Sequence, residues 1–547
     1  MQNKIKYFYR DFNQWSLLVI TLGLLIAIPL LVVIIYLFDG VGEMWSHIVT
    51  YFLADYILNS LLLLVGTGVL CSFFGTFSAW VVSNYEFPLR KLIQWLLFLP
   101  LAIPSYIVAY SYVGLLGNDG SLIRLFNNLG ISIQKIEMMN IFGLIWVLAF
   151  SLFPYVYAAS RSVFISFPKS IDEASNLLGA SHKRYVFKIA LPMASPAIIG
   201  GLFLVFMEVL NDYGAAKYYG INTFTTGIFR SWTMLGDLQS AIYLSALLVI
   251  LVFMINGVVY WLRRKKSYAI KLDQSHQKNK ERKQLTGKKR IVYLSILAIP
   301  ILFGFILPVT QLLYWGVLTF HTMVNFELLK ITFQSFSVAI IAASFTLLSA
   351  LLLIYFSKWN VLKQFNSIKK IAVIGYVIPG AIIGIGIIKG SQTVINFFND
   401  HFNLKIGYLF YGSSIILIYA YVFRFLAVAY NPLYANTEKI GSNLSESSYV
   451  LGIGKLKTLF KIEFPLLKNV LLSTSLLVII DVLKELPLTL ILKPYKLQTL
   501  AIKAFEYADD ERVAEAAIPA LVLILIIVLL MMAFTFVQNN QTSKSYN

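Results

Sequence analysis

Twelve apolar runs limit what this chain can fold into. They fall near residues 15–38, 57–84, 92–116, 140–162, 190–213 and 238–262, then 291–316, 331–356, 370–390, 408–431, 464–488 and 514–537. A run of about 18 or more such residues reads as a membrane span, and in hydrocarbon a lone segment satisfies its own backbone only as a helix. With 58% of its 547 residues hydrophobic and 13% charged, the chain is expected to be an all-α polytopic membrane protein of about 12 transmembrane helices. The first run follows Lys4, Lys6 and Arg10. It is longer than a signal-peptide core and has no small-residue cleavage site after it, so it is expected to be retained.

Charge sets the topology. The formal net charge of +19 would suit a nucleic-acid partner if it formed one patch, but the positive residues alternate between loops. Loop 39–56 has Asp39, Glu43 and Asp55 and no Lys or Arg, whereas Arg90 and Lys91, then Arg161, Lys169, Lys183, Arg184 and Lys188, mark the second and fourth connections. Lys358, Lys363, Lys369 and Lys370, and then Lys439, Lys455, Lys457 and Lys461, do the same in the second half. The excess of Lys and Arg places these loops, and both termini, on the cytoplasmic side of a bacterial cytoplasmic membrane. The hydrophilic stretch 263–290 reads as a basic cytoplasmic linker drawn to anionic headgroups, with no nucleic acid expected. The single Cys71 lies in an apolar run and excludes an intrachain disulfide, and the five histidines lack metal-ligand spacing.

The linker divides the chain into domains 1–262 and 291–547, each with six runs, and a repeat ties them together. Glu173, Gly179, Ile189 and Pro192 recur 273 residues later as Glu446, Gly452, Ile462 and Pro465. Ser170 and Asn443 stand three residues before the glutamates, as in a capping box. Ala174, Leu177 and Leu178, and likewise Val450 and Leu451, then share one helical face until the glycine ends the helix. The loops 170–192 and 443–465 are therefore expected to carry short cytoplasmic helices with apolar tips.

No G-x-x-x-x-G-K-[ST] loop occurs in the chain, so uphill transport would draw its energy from a partner. Two matching tips related by a pseudo-twofold suit docking on a symmetric pair of soluble subunits. The E-A-A, Gly, I-x-L-P pattern resembles the coupling loop of ABC importer permeases, although Ser175, Ser447, Ser448 and Phe464 depart from it. The resemblance implies two tandem six-helix type I permease domains and two copies of an ATP-hydrolysing subunit that holds ATP and Mg. It also implies an extracytoplasmic solute-binding protein, and no cofactor or enzymatic step on this chain. Helix capping by Glu173 and Glu446 is compatible with that role.

The second half carries Lys484-Glu485-Leu486-Pro487-Leu488-Thr489-Leu490 and, further on, Asp510-Glu511-Arg512-Val513-Ala514-Glu515-Ala516-Ala517. Both segments are similar to those of fused ferric-iron importer permeases. Ferric iron is thus the expected solute, with thiamine, polyamine or phosphonate as alternatives within the class. A secondary transporter is the alternative from another class, since parallel repeats occur there too. A membrane enzyme would need an acid, base or nucleophile constellation, and no such constellation is visible.

Glu208 and Asp212 align by the same offset with Asp481 and Glu485. A helix from Pro192 climbs about 24 Å to Glu208, toward the outer side of a ~30 Å hydrocarbon layer. A charge near mid-membrane costs on the order of 3 kcal/mol on the lenient scale, so these acids are expected to face protein or water. With Lys484 they form a candidate substrate pathway, in which Tyr213, Tyr218 and Tyr219 could add oxygen contacts to a hard cation. Internal ion pairs, Lys484 with Asp481 or with Glu208, are the competing reading. Arg424 is expected near the inner end of its span, snorkelling and without a functional role. Pro100, Pro104, Pro379, Gly380, Gly384 and Gly386 permit kinks or tight packing.

Overall fold

The computed structural model describes residues 14–264, 282–359 and 375–544, apart from 118–119, 132–134, 168, 408–409, 411–412 and 442. Lys363, Lys369, Lys370, the start of the run at 370–390 and most of the basic linker lie outside the described residues. Those that are described are almost entirely helical. Ten helices are long and apolar enough to cross a membrane, or eleven if the pair Arg90–Ala102 and Ser105–Asn128, bent by 95°, is one span. The expected first span is the shorter apolar helix Ile20–Tyr36, within α1 (Gln14–Tyr36).

In the first half α2 (Leu53–Asn84), α5 (Ile141–Ile165) and α7 (Leu191–Asn211) pack side by side. Between α2 and α5 the chain forms β1 (Tyr85–Glu86), α3 (Arg90–Leu96) and α4 (Ser105–Leu116), and α6 (Lys169–Leu177) precedes α7. After α7 come two short helices, α8 (Gly214–Tyr218) and α9 (Phe224–Phe229), and then α10 (Leu238–Arg264). The second half repeats the plan. It opens on β2 (Lys283–Gln284), α11 (Gly287–Ile301) and α12 (Leu307–Met323), followed by α13 (Phe326–Trp359), α14 (Gly380–Phe402) and α15 (Ile415–Ile440). The coupling-loop helix α16 (Asn443–Val450) leads to α17 (Phe464–Lys484), α18 (Pro487–Leu492), α19 (Leu500–Asp509) and α20 (Ala517–Lys544). Here α13, α15 and α17 form the matching packed trio.

The two halves are interlocked. The leading helix of each packs on the other half: α1 lies against α13 and α14, while α11 touches α2 and α12 touches α4. Aromatic contacts mark the second of these seams, with Phe303 against Trp146 and Phe150, and Tyr293 against Phe77. Mutual exchange of one element is what a pseudo-twofold pair requires. Cys71 is buried and donates a weak bond to Ala149 O at 3.4 Å, which fits a packing role.

Breaks in the spans prepare the site. Pro104 at φ −55°, ψ 142° and Pro379 at φ −53°, ψ 140° immediately precede α4 and α14, because an extended Pro cannot continue a helix and leads well into a new one. Irregular backbone at membrane depth is tolerated only where protein or a cavity satisfies it. Ile103, Pro104 and Ser105 at the first break line a cavity, and Tyr376, just before the second, lines it too.

Candidate functional site

That cavity encloses about 780 Å³ of empty space, counted together with its opening, and is lined from both halves. Glu208, Asp212, Asp481, Lys484 and Glu485 all line it, so the five pathway residues expected from the sequence are brought together. Their backbone setting differs from expectation. Helix α7 ends at Asn211 and α17 at Lys484, leaving Asp212 (φ −67°, ψ 117°) and Glu485 (φ −69°, ψ 118°) in extended conformations beyond the helix ends. Each acid still closes the last turn of its helix, with Asp212 N donating to Val209 O at 3.3 Å and Glu485 N to Val482 O at 3.2 Å, so Glu208 with Asp212 and Asp481 with Glu485 stay about one turn apart and only the chain after them departs.

The reason is a shared turn. The Asp212 carboxylate accepts from Ala215 N at 3.0 Å and Ala216 N at 3.1 Å, opening α8, and Glu485 Oε1 accepts from Leu488 N at 3.0 Å, opening α18. Each acid thus satisfies amides that a new helix leaves unpaired. The chain beyond Asp212 stays packed within protein. Gly214, Ala215, Ala216 and all of α9 are buried, so the acids lie beneath further protein.

The remaining partners differ between halves. Ser105 donates to Asp212 Oδ2. At the corresponding place Gly380 leaves room: a Cβ there would lie 2.8 Å from Glu485 Oε1 and 3.1 Å from Arg424 Nη1. Arg424 fills that space, with Nε 3.0 Å from Glu485 Oε2 and both side chains 5% exposed; its Nη1 donates to Ile378 O at 3.2 Å. The expectation of a snorkelling Arg424 near the inner end is therefore corrected. It sits well inside α15 and is held by a buried carboxylate, the usual condition for a buried charge. Its signal in the sequence is the offset of 273, which matches it to Ser151, itself buried on the cavity wall.

Of the expected ion pairs, Lys484 with Asp481 is present at 3.5 Å. No ion pair joins Lys484 to Glu208 among the described residues. Glu208 instead accepts from Tyr376 at 3.3 Å, and Asn211 accepts from Gly380 N at 2.8 Å. The tyrosine expectation is partly corrected. Tyr213 lines the cavity, with Tyr106, Tyr155 and Tyr376, which sequence reasoning missed. Tyr219 is buried and donates to Ala109 O at 3.1 Å, and Tyr218 packs edge-on against Tyr110. Beside the cavity, Phe505 packs on Tyr106 and Tyr213, and Lys217 binds Asp509 across the halves at 2.6 Å.

The repeated loops form a second pair of sites. Glu173 and Ala174 on α6 are exposed, with Leu177 89% and Leu178 86% exposed. On α16 Glu446 is exposed, with Val450 87% and Leu451 79% exposed. Both helices end in the same way: Gly179 at φ +70° and Gly452 at φ +75°, with Ala180 N donating to Ser175 O at 3.0 Å and Ile453 N to Ser448 O at 3.1 Å. This is a Schellman end, which needs the left-handed conformation that glycine adopts without strain. The expected starts shift slightly: α6 begins at Lys169 and α16 at Asn443 itself, so Ser170 and Asn443 fall inside the first turn. Ile189, Pro192 and Ile462 are partly buried and Pro465 exposed, at the entries to α7 and α17, each preceded by a π-turn.

The loops are anchored unequally. In the second, Glu463 accepts from Lys358 at 2.8 Å and from Ser445, and Ser448 bonds Thr458 at 2.8 Å. In the first, Ala190 stands at the place of Glu463, and the buried Ser175 hydroxyl has no hydrogen-bond partner.

Residues 71–268 match the family described as binding-protein-dependent transport system inner membrane component. The Fe(3+)-transport system permease protein FbpB 2 of Haemophilus influenzae is 24% identical over 524 residues, 93% of this chain and 95% of that protein. The sulfate transport system permease protein CysT of Salmonella typhimurium is 28% identical over 149 residues, 27% of this chain and 52% of that protein. The molybdenum transport system permease protein ModB of Escherichia coli is 32% identical over 143 residues, 26% of this chain and 61% of that protein. The family match, the membrane-crossing helices and the end-to-end similarity to a fused permease agree with one another. Residues 71–268 thus carry the inner membrane component of binding-protein-dependent transport systems, and the chain as a whole is similar to a transport permease.

Proposed function

We propose that this permease carries ferric iron inward, driven by two copies of a separate ATPase that grip α6 and α16 at the cytoplasmic face, with both termini on that side. Domains 1–262 and 291–547 would each supply one helix, joined by the linker 263–290. The observation that carries the coupling reading is the matched pair of glycine-ended helices whose tips, Leu177 with Leu178 and Val450 with Leu451, are left exposed by the described residues. Apolar tips of this size fit a groove on a partner, where they would be the anchoring contacts. ATP and Mg would belong to that partner, and a solute-binding protein would deliver the solute from the opposite side.

The solute reading rests on charge. Four carboxylates line the cavity, Glu208, Asp212, Asp481 and Glu485, against two cations, Lys484 and Arg424. That excess favours a cation and disfavours a free oxyanion such as a phosphonate. Among the described residues no three His, Cys, Asp or Glu side chains are grouped to hold a metal ion. Glu208 is the acid free of both an ion pair and a capping role, so it is the first contact assigned to the solute. Four tyrosines on the same wall, Tyr106, Tyr155, Tyr213 and Tyr376, also suit an organic cation, and thiamine is the second reading.

The test is uptake by vesicles holding the permease with its ATPase and binding protein, with labelled iron, thiamine and sulfate offered in turn. ATP-dependent accumulation of iron is expected. Accumulation of thiamine alone would move the assignment to the second reading, and accumulation of sulfate alone would overturn the charge argument.

A further inference from the structure

A separate polar cluster, none of whose residues lines the cavity, lies at the end of the first half that carries α6. Strand β1 runs parallel to β2, with Tyr85 opposite Lys283 and Glu86 opposite Gln284. Leu285 N donates to Glu86 O at 3.0 Å while the Leu285 side chain is buried. This two-residue ladder holds the returning end of the linker on the first half and sets Arg282 beside Glu86, with Nη1 3.7 Å from Oε2.

Two more guanidinium groups share the place. Arg90, buried at the start of α3, puts Nε 3.0 Å from Glu86 Oε2 and donates from Nη1 to Val82 O and Gln94 Oε1 at 3.4 Å each. Arg161, near the end of α5, is within electrostatic range of Arg282. The Nε atoms of Arg161 and Arg282 are both buried with no hydrogen-bond partner. Burial lowers the pKa of Arg282, and repulsion from Arg90 and Arg161 adds to this against the attraction of Glu86. Among the described residues Glu86 is the one carboxylate paired with this group, reached by Arg90 and Arg282 and not by Arg161, which leaves an excess of positive charge and two unused donors, an arrangement that costs stability unless an acceptor arrives.

We propose that Arg90, Arg161 and Arg282 form a binding site for a phosphate group, brought either by an anionic phospholipid headgroup or by free phosphate. Free phosphate as a dianion supplies two negative charges and a phospholipid phosphodiester supplies one, and the tetrahedral oxygens of either can accept from forks arriving on separate elements, α3, α5 and the linker end. Bound there, the phosphate pins the linker to the first half next to the coupling loop. The site rests on the permease reading only for its placement at the inner face, where anionic headgroups are concentrated.

The test uses the full chain in two binding measurements. Inorganic phosphate is titrated by calorimetry into chain held in phosphatidylcholine nanodiscs, and retention of phosphatidylglycerol is read by native mass spectrometry after detergent extraction. Wild type is expected to bind at least one of the two probes, and Arg161→Gln with Arg282→Gln is expected to weaken that binding at least tenfold. Arg161→Lys should keep part of it, and Lys288→Gln on exposed α11 should change nothing. Phosphate binding alone identifies the free ion, and lipid retention that phosphate displaces identifies the headgroup. Wild type that binds neither probe overturns the proposal whatever the variants do, as does a folded double variant that binds like wild type. Neither measurement involves transport or an ATPase, so failure here leaves the permease reading intact, and failure of uptake leaves this site measurable.

Discussion

Asp212 and Glu485 occupy the same turn in the two halves, and the solutions around them diverge. Their backbones agree within two degrees in φ and one in ψ, and each carboxylate caps the short helix that follows. Around Asp212 the balance is neutral: a Ser105 hydroxyl donates, and Ser151 stands where the other half has an arginine. Around Glu485 the balance is ionic, with Gly380 withdrawn to admit Arg424. The turn is what the repeat preserves, whereas the electrostatics of each copy are free to specialise. A cavity built this way presents unequal walls to whatever passes through it.

The sharpest way to break this comparison is to remove the arginine. Arg424→Met leaves the Glu485 charge buried without its partner, and loss of one member of a buried pair costs about 3–5 kcal/mol. Thermal unfolding of the detergent-purified chain should show a large fall in stability, whereas Ser151→Ala, at the matched place, should be close to neutral. Equal effects would mean that the halves do not differ as described.

The two coupling loops supply the next contrast. Leu177→Asp with Leu178→Asp puts charge on one exposed tip, and Val450→Asp with Leu451→Asp does so on the other. Because all four side chains are uncovered, the chain should stay folded and inserted. Anchoring contacts are worth about 2 kcal/mol or more, so ATP-driven uptake is expected to fall by more than tenfold in each. The Lys358, Ser445 and Glu463 knot stiffens only the second loop, so its variant should be the milder of the two if anchoring helps retain the partner.

A smaller effect is expected where the halves meet over the cavity. A Cβ on Gly214 would lie 2.8 Å from Leu486 Cδ2 and from Tyr106 Cβ. Gly214→Ala should therefore destabilise by about 1–3 kcal/mol through overpacking, readable as a lower unfolding temperature. Smallest of all, Asp509→Asn removes an inter-half pair with Lys217 whose side chains are 29% and 38% exposed. Such pairs are worth about 0–1 kcal/mol, so stability should hardly move, and raised salt should mimic the variant.

Helices α6 and α16 were legible in the sequence because their causes are local. A glycine at a fixed place after a Glu and an apolar pair dictates a helix end, and Gly179 and Gly452 meet that need identically. The helical membrane class was legible for a like reason, although among the described residues ten helices, or eleven with the bent pair, are long and apolar enough to cross, against the twelve runs expected. The ion pair of Arg424 was not, because Glu485 lies far along the chain and no periodicity links them. Only comparison of the halves exposes it: the repeat offset of 273 sets Arg424 against Ser151, and the Pro104 and Pro379 breaks set Gly380 against Ser105 as the first residues of their helices. The short helices after Asp212 and Glu485 were not expected, because the carboxylates that open α8 and α18 act through backbone amides rather than through any residue spacing. Tyr155 and Tyr376 were hidden by position: each lies on a span whose cavity-facing side is fixed only once the halves interlock.

The central claim is that α6 and α16 are the surfaces on which the ATPase acts. It is tested most directly by placing a cysteine at Leu178 in one variant and at Val450 in another, leaving the buried Cys71 in place, and by crosslinking each to the co-expressed ATPase in native membranes. Crosslinks to the ATPase from both positions, with yields that change on ATP binding, are predicted. Absence of crosslinks at both positions, with each cysteine instead labelled by a membrane-impermeant reagent from outside the cell, would contradict the account.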